Sequence, residues 1–237
     1  MSAEQRLPAA VLWDMDGTLL DTERYWIEAE YKLVAEHGGE WNEHHCHAVV
    51  GTDLRESARY IQTHGGVDLP VDVLVNQLLD RVLASLHSHS DPSSLWMPGA
   101  LDLLEGLRVA GVPCALVTMS WRRLADEVVA LLPTGTFSAV IVGDEVQLGK
   151  PHPEPYLTAA RTLGVAPQHC VAIEDSPTGL KSAQAAGCAV VAVPNLVHIA
   201  EGPGRTVLNS LVGVTHEWLG TLVSQRTAAA SPSPPDK

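Results

Sequence analysis

Short apolar runs and stripes of helical period take turns along this chain. Ala9–Trp13, Pro113–Thr118, Ala139–Val142, Cys170–Ile173 and Cys188–Val193 are nearly continuous apolar segments, several rich in Val or Ile, and they predict strands buried on both faces. The stretches between them carry apolar residues three and four places apart. Leu103, Leu104 and Leu107 mark one helix face, Leu124, Val128 and Leu131 another, and Leu157, Ala160 and Leu163 a third. Alternation of strand and helix builds a parallel sheet, and right-handed crossovers make it a doubly wound, Rossmann-like α/β core.

The interval between the first and second strands breaks this rhythm. It spans about a hundred residues, where one crossover helix needs only ~10–15. Within it Ile27, Tyr31 and Val34 follow one helical stripe, Leu54, Ala58 and Ile61 a second, and Val71, Val75, Leu78, Val82 and Leu86 a third, with no convincing strand between them. Residues 22–95 are therefore expected to form an inserted all-α cap domain, with Ser93–Gly99 as its returning hinge. The α/β core takes residues 1–21 and 96–225. Residues 226–237 end in SPSPPDK, a Pro/Ser-rich segment too poor in apolar residues to fold, and are expected to be a disordered tail.

Composition narrows the range of functions. The chain has 237 residues, 46% of them apolar, enough for a large core. Fifteen Lys and Arg face 28 Asp and Glu, and a net charge of −13 disfavours sequence-independent binding to nucleic acid or an anionic membrane. No run approaches the ~20 apolar residues of a membrane helix. The opening MSAEQRLPAA lacks the basic-then-apolar order of a secretion signal, so a cytoplasmic protein acting on small molecules is expected. Cys46, Cys114, Cys170 and Cys188 are widely spaced without a C-x-x-C and are read as buried, reduced thiols.

The candidate chemistry sits where the strands end. The first strand runs into Asp14-Met15-Asp16-Gly17-Thr18, and Cys170-Val171-Ala172-Ile173 runs into Glu174-Asp175. In an open α/β sheet, functional groups gather beyond the carboxyl ends of the strands. Four carboxylates in one crevice repel each other, and a hard divalent cation is the usual remedy, Mg²⁺ where phosphate oxygens complete its octahedron. Lys150, bracketed by Gly149 and Pro151, follows the third strand and supplies a fixed ammonium. Thr118 closes the second strand. Ser120, placed to cap a helix beginning near Trp121, adds a hydroxyl to an anion cradle. Ser176-Pro177 reads as a helix start and Gly187 as its stop.

With these residues in place, the chain resembles the haloacid dehalogenase superfamily, in its β-phosphoglucomutase-like branch of phosphatases with a helical cap. Four motifs match in order, Asp14-Met15-Asp16-Gly17-Thr18, Thr118, Lys150 and Glu174-Asp175, and the likeness covers nearly the whole chain. It implies hydrolysis of a small phosphorylated metabolite. Asp14 would be the nucleophile that forms an aspartyl-phosphate, and Asp16 the acid and then base. Mg²⁺ would be held by Asp14, the main-chain carbonyl of Asp16 and Asp175, with Glu174 orienting a metal-bound water. Thr118 would bind a phosphoryl oxygen and Lys150 would offset the charge shared by nucleophile and phosphate. An aspartate at position 16 argues for phosphoesters, since dehalogenases and phosphonatases of the superfamily lack it. Trp26 stands where β-phosphoglucomutase has a cap-hinge histidine, a departure that favours a hydrolase over a mutase.

In the cap, Gly51-Thr52-Asp53-Leu54-Arg55-Glu56-Ser57 resembles the branch's segment that faces the site, which makes Arg55 the candidate substrate contact. Glu43-His44-His45-Cys46-His47 lacks the spacing of a zinc site and is expected to be a polar cap loop. A P-loop is excluded, because Gly143-Asp144-Glu145-Val146-Gln147-Leu148-Gly149-Lys150 is one residue too long and Pro151 replaces the Ser/Thr. A catalytically idle phospho-ligand-binding homologue would not need an acid/base beside a nucleophile.

Overall fold

The computed structural model describes residues 7–230. Six parallel strands form one sheet: β1 (Ala10–Trp13), β2 (Cys114–Val117), β3 (Ala139–Ile141), β4 (Cys170–Glu174), β5 (Ala189–Ala192) and β6 (Arg205–Val207). Their order is β3-β2-β1-β4-β5-β6. The five apolar runs supply the first five strands within a residue or two at each end. The sixth escapes an apolar-run criterion because Arg-Thr-Val is short, half-buried and lies at the sheet's edge.

Alternate residues of each strand face opposite layers. Val11, Trp13, Leu116, Val171 and Ile173 share a core with the cap. This layer also takes α5 (Ala100–Val109), α6 (Arg122–Ala130) and α9 (His216–Ala230), through Leu103, Leu124 and Leu219. Leu12, Ala115, Val117 and Ala172 face α7 (Glu154–Thr162) and α8 (Pro177–Ala186) on the other side. Leu131 and Leu157, expected on buried faces, are exposed. Tyr156 and Ala159 turn α7's buried side away from Leu157. Ser176 caps α8 by accepting from the Gly179 amide, and Gly187 ends it. α9 runs to Ala230, five residues into the stretch expected to be a tail. Residues 231–237, and the first six residues of the segment read for a secretion signal, lie outside the described residues.

Between β1 and β2 stand α1 (Glu23–Glu36), α2 (Glu43–Val49), α3 (Leu54–Gly65) and α4 (Val71–Ser88). Leu33, Ile61, Leu74, Leu78, Leu79 and Val82 are fully or almost fully buried among them. The two linkers to this insert run antiparallel and are tied together, the Asp21 amide donating to Leu95 O (2.8 Å) and the Met97 amide to Leu19 O (3.0 Å). Two expectations change here. Glu43–Val49 is a helix rather than a loop, because Asn42 caps it by accepting from the His44 and His45 amides. The buried face of α1 carries Trp26, Ala29 and Leu33 together with Glu23 and Glu30, while Tyr31 is exposed. A stripe drawn through apolar residues alone misses a face that contains two acids.

Candidate active site

The strand order places a topological switch point beside β1, where crevices open beyond the strands' carboxyl ends. Asp14 leaves β1 there, Thr118 leaves β2, and Asp175 follows Glu174 at the end of β4. Lys150 arrives from the turn after β3, and its ammonium is buried. It donates to Asp14 Oδ1 (2.7 Å), Glu174 Oε1 (2.7 Å) and the carbonyl of Val117 (2.9 Å), so all three of its N–H groups are used. Tyr156 O–H donates to the same Glu174 oxygen at 2.5 Å. Glu174 is thus committed through Oε1 to holding Lys150, with Oε2 the less engaged oxygen, accepting from Ser176 at 3.4 Å. Glycine at position 179 makes this possible, since a Cβ there would lie 2.0 Å from Glu174 Oε1.

Asp16 is held quite differently. Its Oδ1 accepts from Thr22 Oγ1 (2.6 Å) and Trp26 Nε1 (2.9 Å), and its Oδ2 accepts from Ser120 Oγ (2.7 Å) and Thr118 Oγ1 (3.3 Å). Two of these donors belong to the cap hinge and first cap helix and two to the core, so the position of this carboxylate depends on how the cap sits. Ser120 therefore serves Asp16. Trp121 occupies the residue before α6, without a side-chain cap bond.

Electrostatics separate the charged groups further. Burial, together with Glu174 and Asp16, pushes Asp14 up to about 7 against the opposing pull of Lys150. Burial alone would lower Lys150, but Asp14 and Glu174 hold it above its ordinary value. Asp175 is raised by burial and by Asp14, Glu23 and Glu174. Its Oδ2 is buried with no hydrogen-bond partner. Among the described residues, Asp14, Glu174 and Asp175 bring carboxylate oxygens within 4.8 Å of one another, a donor set that can hold a metal ion. Three hard oxygen donors, one of them orphaned, fit a divalent cation such as Mg²⁺. Gly17, at φ +78°, lets the D-x-D-G turn pass over this group, since a Cβ would stand 2.2 Å from Asp175 Oδ2.

A cleft of about 60 Å³ opens above these groups, between the core and the cap. Its wall includes Asp14, Asp16, Thr118, Ser120 and Lys150 from the core side and Glu23, Trp26, Glu30, Cys46 and Ser57 from the cap. Arg55 is not brought into it. Its guanidinium lies 4.8 Å from the ring centre of Trp121 on the core and 3.6 Å from Asp72, along the outer seam between cap and core. The histidines of α2 do not belong to this site. His45 stacks on Trp41 and bonds Tyr60 O–H (3.1 Å), forming an aromatic cluster of the cap. All four cysteines are free and buried.

Thr22, Glu23, Glu30 and Tyr156 are site residues that motif reading missed, and Trp26 entered it only as a departure. Tyr156 could have been found from its place six residues after Lys150, on the helix that must cover the sheet below it. The two glutamates, seven residues apart on α1, share a helix face two turns apart.

Residues 11–193 match the family described as haloacid dehalogenase-like hydrolase. The bifunctional riboflavin kinase/FMN phosphatase of Arabidopsis thaliana is 30% identical over 221 residues, which cover 91% of this chain and 57% of that protein, so the chain spans little more than half of that relative. Validoxylamine A 7'-phosphate phosphatase of Streptomyces hygroscopicus subsp. limoneus is 30% identical over 178 residues, 74% of this chain and 81% of its own. The crystal structure of β-phosphoglucomutase from Clostridium difficile shares the fold, with a TM-score of 0.81 at 22% identity over 93% of this chain and 99% of that one. A match that runs from β1 to the end of β5 makes this chain a member of the haloacid dehalogenase-like hydrolase family, akin to its phosphatases and β-phosphoglucomutase-like proteins.

Proposed function

We propose that this chain is a Mg²⁺-dependent phosphatase that hydrolyses a small phosphorylated metabolite through an aspartyl-phosphate on Asp14. The observation that carries this reading is the contrast between two carboxylates one residue apart: Asp14 is ion-paired to a buried lysine, while Asp16 is suspended from four neutral donors. The first arrangement suits a fixed nucleophile and the second a group that exchanges a proton. The phosphatase names of the relatives support the same class of reaction.

In the first step an Asp14 carboxylate oxygen forms a bond to phosphorus as the bond to the leaving oxygen breaks, and Asp16 gives that oxygen its proton. In the second, water forms the new bond to phosphorus and passes a proton to Asp16, which releases inorganic phosphate and restores Asp14. Lys150 holds Asp14 in line and balances charge as the phosphoryl group arrives. Thr118 and Ser120 turn their hydroxyls from Asp16 to the phosphoryl oxygens. Mg²⁺, held by Asp14, Asp175 and the main-chain carbonyl of Asp16, would supply neutralisation of the phosphate charge. We assign Glu174 to anchoring Lys150, with Tyr156 behind it. The cap's side chains form one wall of the cleft, so the cap would help exclude water from bound substrate. Trp26, in the place of the mutase branch's histidine, favours hydrolysis over transfer to a second hydroxyl.

The test is hydrolysis of an aryl phosphate by the purified chain. Phosphate release that requires a divalent cation and disappears in Asp14→Asn is expected; release that persists in a chelator or in the variant rejects the mechanism.

A further inference from the structure

The cavity wall that the cap contributes is acidic, and no basic side chain answers it. Glu23 and Glu30 project from one face of α1 into the wall, and Lys150 is the sole Lys or Arg among the lining residues, with all its donors spent on Asp14, Glu174 and Val117. Glu30 has protein partners, accepting from Trp41 Nε1 at 3.1 Å and from the Cys46 thiol. Glu23 has none. It is 6% exposed, its carboxyl forms no hydrogen bond or ion pair with the described residues, and the space it borders is the cavity. A carboxyl buried to that degree without a partner is costly unless something else supplies one.

We propose that Glu23, backed by Glu30, is the specificity wall for the leaving group: it accepts a neutral or amino-bearing polyol or sugar and rejects a leaving group with a second acidic function. This rests on the phosphatase reading above and narrows its substrate class. Carboxyl oxygens accept from hydroxyls and ammonium groups, and a protonated carboxyl can also donate to a hydroxyl. A carboxylate or second phosphate on the leaving group would enter a low-dielectric wall that offers it no cation. Arg55, the residue that could answer such an anion, is occupied outside the cavity by Trp121 and Asp72.

Three phosphomonoesters with one six-carbon skeleton decide it: glucose 6-phosphate, glucosamine 6-phosphate and 6-phosphogluconate. Each is measured with the full chain and Mg²⁺ as a competitive inhibitor of aryl phosphate hydrolysis, so that binding is read whether or not the compound turns over. The neutral and amino compounds are expected to bind about tenfold or more tightly than 6-phosphogluconate, and Glu23→Gln to narrow that ratio. Glu30→Gln is the second variant and is expected to narrow it less. Equal or tighter binding of 6-phosphogluconate, or inhibition by none of the three, overturns the proposal while leaving aryl phosphate hydrolysis intact. Failure of aryl phosphate hydrolysis itself would instead strike the phosphatase reading.

Discussion

Replacing Glu30 by Gln removes a buried acid and keeps an oxygen that can accept from Trp41 Nε1. Burial pushes the Glu30 carboxyl from 4.5 up to about 7, against hydrogen bonds from Trp41 and Cys46 that favour its charged form. The folded chain therefore keeps a proton on Glu30 at pH values where the unfolded chain has already lost it. Stability from this group falls as pH rises from about 4.5 to about 7 and is level above that. The interval is about two and a half pH units, and at about 1.36 kcal/mol each the cost of ionising Glu30 in place is about 3 kcal/mol at pH 8. At pH 5 the unfolded carboxyl is mostly ionised but only about half a pH unit past its ordinary value, and the cost is about 1 kcal/mol. Glu30→Gln is thus expected to gain about 2 kcal/mol more over the native chain at pH 8 than at pH 5. Urea unfolding of both proteins at the two pH values, followed by far-UV circular dichroism, measures the difference. A variant whose gain is the same at both, or larger at pH 5, refutes the reasoning.

Two further substitutions probe the frame around the candidate nucleophile. Tyr156→Phe removes the hydroxyl that donates to Glu174 and leaves a buried carboxylate with one donor fewer, for an expected loss of about 1–3 kcal/mol in urea unfolding. Because Lys150 still holds Asp14, hydrolysis in this variant is expected to fall by less than about tenfold; an unchanged unfolding midpoint would show that the short hydrogen bond contributes nothing. Gly17→Ala forces a methyl against Asp175 Oδ2 in a left-handed backbone position, so Mg²⁺ activation of aryl phosphate hydrolysis is expected to need about tenfold more metal. An unaltered metal titration would detach Asp175 from the metal site.

The strands were legible because each is a compact run of Ala, Val, Ile and Leu, and the site because acids at the ends of such runs have no structural reason to be there. Arg205–Val207 was not, since an edge strand pairs through its backbone and needs no apolar signature. The cap wall was hidden for a different reason. Periodicity counts an acid as a surface residue, so Glu23 and Glu30 shifted the apparent stripe on α1 to Tyr31, which faces solvent. Arg55 illustrates the limit of motif transfer: its place in the segment matches, but Trp121 offers an aromatic face on the seam and Asp72 a counter-charge, and the side chain settles there. Tyr156 and Thr22 act through contacts with residues far from them in the fold's layers or across the hinge, which no local pattern reports.

Acid-quenching the full chain during turnover of an aryl phosphate, then locating any phosphoryl group by peptide mass spectrometry, asks most directly whether Asp14 is the nucleophile. A phosphoryl adduct on Asp14 that forms only with substrate and divalent cation is the expected result. Sustained turnover with the adduct on another residue, or with none trapped on Asp14 even in a variant whose second step is slowed by Asp16→Asn, would contradict it.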